Sequence, residues 1–283
     1  MKQPEPITNA MTVDVEDYFQ VSAFENIIAR GGWDKLPCRV EQNTDRILQL
    51  FADREISATF FMLGWVAERY PTLIQRIVEA GHELASHGFS HIRVTQQNRD
   101  DFREDVSRTR KLLEDLSGTA VRGYRAASYS IGRSNLWAHE VLAETGYLYS
   151  SSIYPIHHDL YGMPEAPRFA FYPPAAPSLL EIPVSTVELS GHKFPCGGGG
   201  YFRLFPYGLF RWAVRRVNQL DGQPCIFYFH PWEIDPEQPR QRGISMKTRV
   251  RHYLNLQHME QRLLWLIGDF RWDRMDRVFL QQD

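Results

Sequence analysis

The sequence contains 283 residues, 43% of them hydrophobic, and carries a formal net charge of −2 at pH 7. This length suffices for one large α/β domain or two small ones with a sizeable core. The near-neutral charge argues against a nucleic-acid-binding protein. No segment approaches the roughly 20 apolar residues of a membrane span, and the N-terminus lacks the apolar stretch of a signal peptide, so we expect a cytoplasmic protein. The three cysteines are far apart, which argues against disulfides and zinc–thiolate sites.

Runs typical of β-strands alternate with runs of helical periodicity along most of the chain. The predicted strands are Met11–Glu16, Ala58–Leu63, His82–His87, Val121–Arg125, Leu148–Tyr154, Leu180–Thr186 and Cys225–Phe229. The predicted helices are Gln42–Arg54, Arg99–Leu116, Ser134–Thr145 (with Ser134 as N-cap and Gly146 after its end), Phe210–Leu220 and His252–Ile267. Such alternation predicts a parallel sheet with crossover helices. Seven strands fit a distorted, incomplete (β/α) barrel, and a doubly wound open sheet is the alternative.

Three long segments link these elements: 21–41, 155–178 and 187–206. Long connections in compact domains are usually functional or disordered, and the aromatic content of these argues against plain disorder. Tyr161 and Tyr201 lie on two of them and are predicted either to stack on sugar rings or to pack the loops down. Near Tyr161, the cluster His157, His158 and Asp159 either contacts a ligand or forms a solvated group.

The first predicted strand carries two carboxylates on one face. Because side chains alternate along a strand, Asp14 and Glu16 share a face while Val13 and Val15 take the other. Two carboxylates on a half-buried strand are costly unless a cation lies between them. Asp17 follows at the strand end and is also placed to turn toward such a cation. A solvated, acidic strand end is the alternative interpretation.

Polar residues also follow other predicted strands. His87 and His91 are four residues apart, so a turn places both imidazoles on one side, and with one carboxylate they form the ligand set of a catalytic zinc site. Arg125 and His230 each end a further strand, where a lone polar residue is more often structural. Asp14, however, ends a strand as well, and the C-terminal strand ends are where parallel α/β barrels build active sites. The coincidence predicts a catalytic site at this face.

These separated motifs resemble, in the same order, those of the polysaccharide deacetylases, the NodB-homology domains or carbohydrate esterase family 4. They are Asp14 with Glu16 and Asp17, HGFSH at 87–91, RAASY at 125–129, and His230. The resemblance covers about Met11–Asp235. Residues 13–21 (VDVEDYFQV) and 229–235 (FHPWEID) resemble more narrowly deacetylases associated with exopolysaccharide export and exosortase loci. The resemblance to this family implies a catalytic domain over residues 1–235. It also implies a C-terminal helical extension, 236–283, packed on the same domain.

The resemblance also implies roles for individual residues. Asp14 corresponds to the catalytic base, Arg125 to the residue that orients the base, and His230 to the general acid. The implied cofactor is a divalent metal, with zinc favoured. Its ligands would be His87, His91 and either Glu16 or Asp17, of which strand alternation favours Glu16. The predicted substrate-binding residues are Tyr129, Tyr161, Tyr201 and Trp232.

Two departures from the family pattern affect this comparison. Val15 stands where the family usually has a second aspartate directly after the first. Ala126 and Ala127 replace the usual prolines of the third motif, which leaves open whether Ser128 or Tyr129 supplies a backbone contact to the oxyanion.

The resemblance implies hydrolysis of N-acetyl groups on an N-acetylhexosamine-containing exopolysaccharide or its lipid-linked precursor, with release of acetate. The implied partners are that polysaccharide and an export machinery, without nucleic acid. Two alternatives are a metal-independent amide hydrolase of the allantoinase-like branch and a non-catalytic polysaccharide-binding module. The intact pair His87 and His91 argues against the metal-independent hydrolase. The presence of all the polar motif residues argues against the non-catalytic binding module.

Overall fold

A computed structural model describes residues 6–158 and 161–280. Its strands are β1 Thr8–Val15, β2 Thr59–Met62, β3 Glu83–Ser86, β4 Gly123–Tyr124, β5 Tyr149–Ser150, β6 Leu180–Glu181, β7 Thr186–Leu189, β8 His192–Pro195, β9 Ile226–Phe229 and β10 Arg271–Asp273. Its α-helices are α1 Val40–Ala52, α2 Gly64–Arg69, α3 Pro71–Glu79, α4 Arg99–Ser117, α5 Trp137–Glu144, α6 Gly199–Leu204, α7 Tyr207–Arg216, α8 Met246–Tyr253, α9 Leu256–Asp269 and α10 Met275–Phe279.

Eight strands form one parallel sheet that curves into an incomplete barrel. The order β10-β1-β2-β3-β4-β5-β6 runs along the sheet, and β9 also pairs with β1. All seven predicted strands lie in this sheet, so the predicted α/β barrel is confirmed and the doubly wound alternative is not needed. Because all pairs are parallel, the C-terminal ends of β1, β3, β4 and β9 lie at the same edge.

The alternation of side chains along the strands separates two packed layers. Met11, Val13 and Val15 of β1 point to the outer core beneath the helices. Ala10 belongs instead to a small cluster inside the curved sheet, and Met275 packs there too. The side chains on the same face of β1 as Ala10, including that of Asp14, therefore point into the barrel.

Two sequence predictions about individual segments differ from the structure, and a third is confirmed. The segment 187–206, predicted as a loop, contains the antiparallel pair β7–β8 and helix α6. Ser134 is not an N-cap, because α5 begins at Trp137 without a side-chain cap. Gly146 does follow this helix with a φ of +85°, as the C′ position requires.

The segment after residue 236 is not purely helical. Helices α8 and α9 are followed by β10, which pairs with β1 in register Thr8 to Arg271. Met275 then packs inside the curved sheet beside Phe61 and Tyr149. The C-terminal segment thus supplies part of the barrel interior.

No helix within residues 6–158 and 161–280 has the length and apolar character needed to cross a membrane.

Candidate active site

The C-terminal edge of the sheet brings together the polar residues predicted from the sequence. Asp14 lies near the end of β1, His87 directly after β3, Arg125 directly after β4 and His230 directly after β9. All but His230 are buried, with at most 5% exposure. A buried cluster of this kind requires internal partners for every charged group.

Glu16, His87 and His91 form a group with the geometry of a metal site. Their ligand atoms lie within 4.8 Å of one another. The Nδ1–H of His87 donates to the carbonyl oxygen of Arg125 at 2.8 Å, which leaves the Nε2 lone pair available. Glu16 Oε2 is buried and accepts no hydrogen bond from the described residues, although His91 Nε2 faces it at 3.0 Å. Two lone-pair nitrogens and an unpartnered carboxylate oxygen fit a divalent cation.

Electrostatics support the same assignment. Burial lowers the pKa of His87 to about 4 and also lowers the pKa of His91, so both rings are neutral near pH 7 and suited to binding a cation. Burial raises the pKa of Glu16 to about 7. A cation between these groups would hold the carboxylate ionised.

Asp17, the alternative carboxylate ligand, does not join this cluster. Its Oδ2 accepts the backbone N–H groups of Arg39 at 2.6 Å and Val40 at 2.9 Å, and its Oδ1 accepts that of Tyr18 at 2.8 Å. Asp17 therefore anchors the start of α1 to the end of β1. Asp17 is thus engaged by backbone N–H groups, and Glu16 is the carboxylate that lies with His87 and His91.

Asp14 and Arg125 form a buried ion pair. Arg125 Nη1 donates to Asp14 Oδ1 at 2.5 Å and to Thr12 Oγ1 at 2.8 Å. Burial opposes ionisation of Asp14, but Arg125 and the nearby histidines hold the pKa of this carboxyl below its usual value. Asp14 is therefore held ionised and oriented, a state that suits a proton acceptor. Its Oδ2 also lies 3.4 Å from the hydroxyl of Tyr129.

His230 lies beside both carboxylates, with Nε2 at 3.3 Å from Glu16 Oε1 and 3.9 Å from Asp14 Oδ2. Its Nδ1–H donates to Glu233 Oε1 at 2.8 Å. Burial alone would lower the pKa of His230, but the hydrogen bond to Glu233 and the surrounding carboxylates raise it to about 9. His230 therefore carries a proton near pH 7 and directs Nε2 into the site.

Glu233 holds His230 in place, whereas the sequence suggested for it only a place in the pocket wall or a packing role. Burial disfavours its charged form, but Arg203 and His230 lower the pKa of Glu233 to about 2. Arg203 Nε donates to Glu233 Oε2 at 2.7 Å, and the Arg203 side chain is itself buried. The signal available in the sequence was the spacing of three residues from His230, which gives a capping box on the turn 231–234.

The predicted substrate-binding aromatic residues occupy two places. Tyr129, Tyr161 and Tyr201 all contact one aromatic cluster that also contains Tyr154 and Tyr228. Trp232 is only 6% exposed and stacks on the ring of His230, with centroids 5.1 Å apart. Trp232 thus supports His230 from behind. The polar group predicted near Tyr161 comprises His157, His158 and Asp159. His158 stacks on Tyr161, and Asp159 lies outside the described residues.

The turn after β4 is held in an unusual backbone conformation. Ser128 and Tyr129 have φ values of +54° and +51°, in the left-handed region that non-glycine residues rarely adopt. The Tyr129 N–H donates to the Ala126 carbonyl at 3.0 Å. Strain of this kind concentrates at functional sites, in keeping with the position of this turn beside Asp14.

Comparison with known families gives two adjoining matches. Residues 32–150 match the family described as Polysaccharide deacetylase, and residues 151–280 match a Domain of unknown function (DUF3473). Residues 32–150 are therefore similar to a polysaccharide deacetylase domain. The candidate site draws on both matched stretches, because His87, His91 and Arg125 lie in the first and His230 in the second. Asp14 and Glu16 precede both.

Individual proteins resemble this chain in part of the sequence or in the fold. A peptidoglycan-N-acetylglucosamine deacetylase of Bacillus cereus is 34% identical over 98 residues, which cover 34% of this chain and 36% of that protein. The chain thus spans little more than a third of that relative's length. The overall fold is similar to that of a Mycobacterium smegmatis protein assigned as a polysaccharide deacetylase, with a TM-score of 0.62, 19% identity, and 98% and 91% of the two chains covered. It is also similar to the allantoinase Puue, with a TM-score of 0.60, 15% identity, and 98% and 93% coverage.

Proposed function

We propose that the protein is a metal-dependent polysaccharide deacetylase that hydrolyses N-acetyl groups and releases acetate. The observation that carries this proposal is the cluster of Glu16, His87 and His91 together with His230, whose Nε2 lies 3.3 Å from Glu16 Oε1 and 3.9 Å from Asp14 Oδ2. A candidate acceptor of protons and a candidate donor of protons thus accompany a candidate cation site, as hydrolysis of an amide requires. The fold alone does not decide the chemistry, because allantoinase shares it, but this ligand set favours the metal-dependent branch.

In the proposed reaction, Asp14 accepts a proton from a water molecule as the water oxygen bonds to the amide carbon. His230 donates its Nε2 proton to the amide nitrogen, and the C–N bond breaks to leave acetate and a free amine. Arg125 keeps Asp14 ionised and oriented, and Glu233 does the same for the proton-bearing His230. A divalent cation held by Glu16, His87 and His91 would polarise the carbonyl group and lower the pKa of water.

The direct test is acetate release from N-acetylated oligosaccharides by the purified, zinc-loaded protein. We expect release of one acetate for each free amine formed, and its loss when a chelator removes the metal. No release of acetate from any N-acetylated oligosaccharide by the zinc-loaded protein would contradict the deacetylase assignment. Full activity in metal-free protein would contradict metal dependence.

The proposal extends to features that remain to be tested. We propose zinc as the metal and an exopolysaccharide or its lipid-linked precursor as the substrate, with an export machinery as a partner. The segments VDVEDYFQV and FHPWEID support this narrower assignment through their resemblance to that subgroup. We also propose that residues 1–235 form the catalytic domain and that residues 236–283 form an extension of it, which adds β10 to the sheet and Met275 to the barrel interior.

Glycine 199 offers a test of the Glu233 contact. A Cβ atom at Gly199 would lie 2.4–2.7 Å from the carboxylate atoms of Glu233, which Arg203 holds in place. We expect Gly199→Ala to displace Glu233 and to lower kcat about 10-fold to 100-fold, because small misplacements of catalytic groups are costly. Gly200→Ala is the matched control, since no described atom outside its own helix lies within 4 Å of that Cβ. Equal activity of the two variants would show that the position of Glu233 is unimportant.

A further inference from the structure

Helix α8 and the residues just before it concentrate positive charge. The segment 238–259 contains no Asp or Glu but has five basic residues, which are Arg240, Arg242, Lys247, Arg249 and Arg251. Because the whole chain has a net charge of −2, the rest of the chain is clearly negative. A local positive surface on such a chain favours an anionic partner.

Two arginines of this segment lack the counter-ions that other surface arginines have. Arg99, for example, pairs with the carboxylate of Glu140. Arg242 and Arg249 are exposed, and neither forms an ion pair with any described residue. Their charges can therefore meet an anionic group outside the protein.

Two apolar side chains are exposed among these charges. Met246 is 74% exposed and Val250 is 49% exposed, and their spacing of four residues places them on one face of α8. Helical geometry places Arg249 on one side of this face and Lys247 and Arg251 on the other. An apolar strip between basic residues is typical of a helix that lies in the interface of a bilayer.

The buried side of α8 is fixed to the catalytic edge. His252 stacks on Trp232 with ring centroids 4.2 Å apart, and Trp232 in turn stacks on His230. Arg203 Nη1 donates to the carbonyl oxygens of His252 at 3.1 Å and Leu254 at 2.6 Å. A surface that binds α8 is therefore held in a fixed position relative to the candidate active site.

We propose that residues 240–251 bind peripherally to a bilayer that contains anionic phospholipids. The basic side chains contact headgroup phosphates, and Met246 and Val250 enter the boundary between the headgroups and the acyl chains. A soluble polyanion would contact the charges but leave the apolar strip in water, so the bilayer is the partner that matches both features. The inference goes beyond the proposed deacetylase function and does not depend on it.

The test measures co-sedimentation of the full chain with vesicles of phosphatidylcholine, either alone or with about 30% phosphatidylglycerol. Arg242→Glu/Arg249→Glu reverses the two charges that have no counter-ion. The matched control is Arg54→Glu/Arg271→Glu, which changes the net charge equally at two exposed positions near the starts of β2 and β10, at the opposite edge of the sheet. Met246→Ser/Val250→Ser removes the apolar strip and keeps every charge.

We expect the wild type to bind the phosphatidylglycerol vesicles and not the neutral ones, and to bind less as the salt concentration rises. Arg242→Glu/Arg249→Glu should weaken binding by about 30-fold or more, since each basic residue near an anionic surface contributes about 5-fold. Met246→Ser/Val250→Ser should weaken binding by about 3-fold to 10-fold. The control should stay within about 2-fold of the wild type, because its charges lie far from the docked surface.

Three results would overturn the inference: no binding to phosphatidylglycerol vesicles, equal binding to neutral vesicles, or equal losses in the two charge-reversal variants. Unchanged binding by Met246→Ser/Val250→Ser would also overturn it and would leave a soluble polyanion as the partner. Acetate release, measured without vesicles, is independent of these results. Its absence would remove the deacetylase assignment and retain the bilayer contact, and acetate release without vesicle binding would do the reverse.

Discussion

Asp14→Asn should lower the rate of acetate release by about 10²-fold to 10⁴-fold, the usual contribution of a positioned proton acceptor. Asparagine keeps the size of the side chain and one oxygen to accept from Arg125, but it cannot take a proton from water. Asp14 is not in the Glu16–His87–His91 cluster, so the metal content should stay near the wild-type value. The measurement is acetate release by stopped assay, beside metal analysis of the same preparation.

Stability must be followed in the same experiment. Removing the charge of Asp14 leaves that of Arg125, which is fully buried, without its counter-ion. Breaking a buried ion pair costs about 3–5 kcal/mol, although the retained oxygen should reduce this. Thr12→Val is the matched control, because it removes another Arg125 hydrogen bond and leaves the carboxylate. Undiminished activity of folded, metal-loaded Asp14→Asn would exclude Asp14 as the base.

Glu16→Gln and Asp17→Asn should differ sharply in metal binding. The wild type should hold about one equivalent of zinc in the three-ligand site, and His87→Ala/His91→Ala should hold none. Glu16→Gln loses the anionic ligand, so its affinity should fall by more than the 10-fold to 100-fold typical of losing a supporting residue. Asp17→Asn should retain the metal, because the Asp17 carboxylate binds backbone N–H groups at the start of α1.

The measurement is mass spectrometry of metal content after dialysis against zinc, with circular dichroism to verify folding. Asp17→Asn controls for the loss of a buried carboxylate next to the site, and it should lower the free energy of unfolding without releasing the metal. Metal loss in Asp17→Asn together with retention in Glu16→Gln would reverse the assignment of the ligand. Little metal in the wild type, even after addition of zinc, would remove the proposed mechanism.

The sequence by itself determined seven strands of the parallel sheet and which polar residues share its C-terminal edge. Strand alternation is a local property with a period of two, so the placement of Asp14 inside the barrel follows from its position relative to Val13 and Val15. The parallel arrangement follows from the alternation of strands and helices. Together these properties bring His87, Arg125 and His230 to the edge where Asp14 also lies.

The tertiary structure alone decided which groups pair within that edge. The choice between Glu16 and Asp17 as the carboxylate ligand depends on Arg39 and Val40. Their backbone N–H groups donate to Asp17, although they lie more than 20 residues away in the sequence. The hairpin β7–β8 lies in a segment that reads as a loop, and β10 adds a strand to a region that reads as helical.

The pairing of Glu233 also depends on the tertiary structure. Its spacing from His230 is visible in the sequence, but its charge depends on Arg203, which α6 supplies from 30 residues away, and on the close approach of Gly199. Local patterns report the secondary structure and the face of each side chain, because neighbours along the chain determine both. Pairings among buried polar groups depend on long-range packing and on the cost of leaving any of them without a partner, which only the folded chain settles.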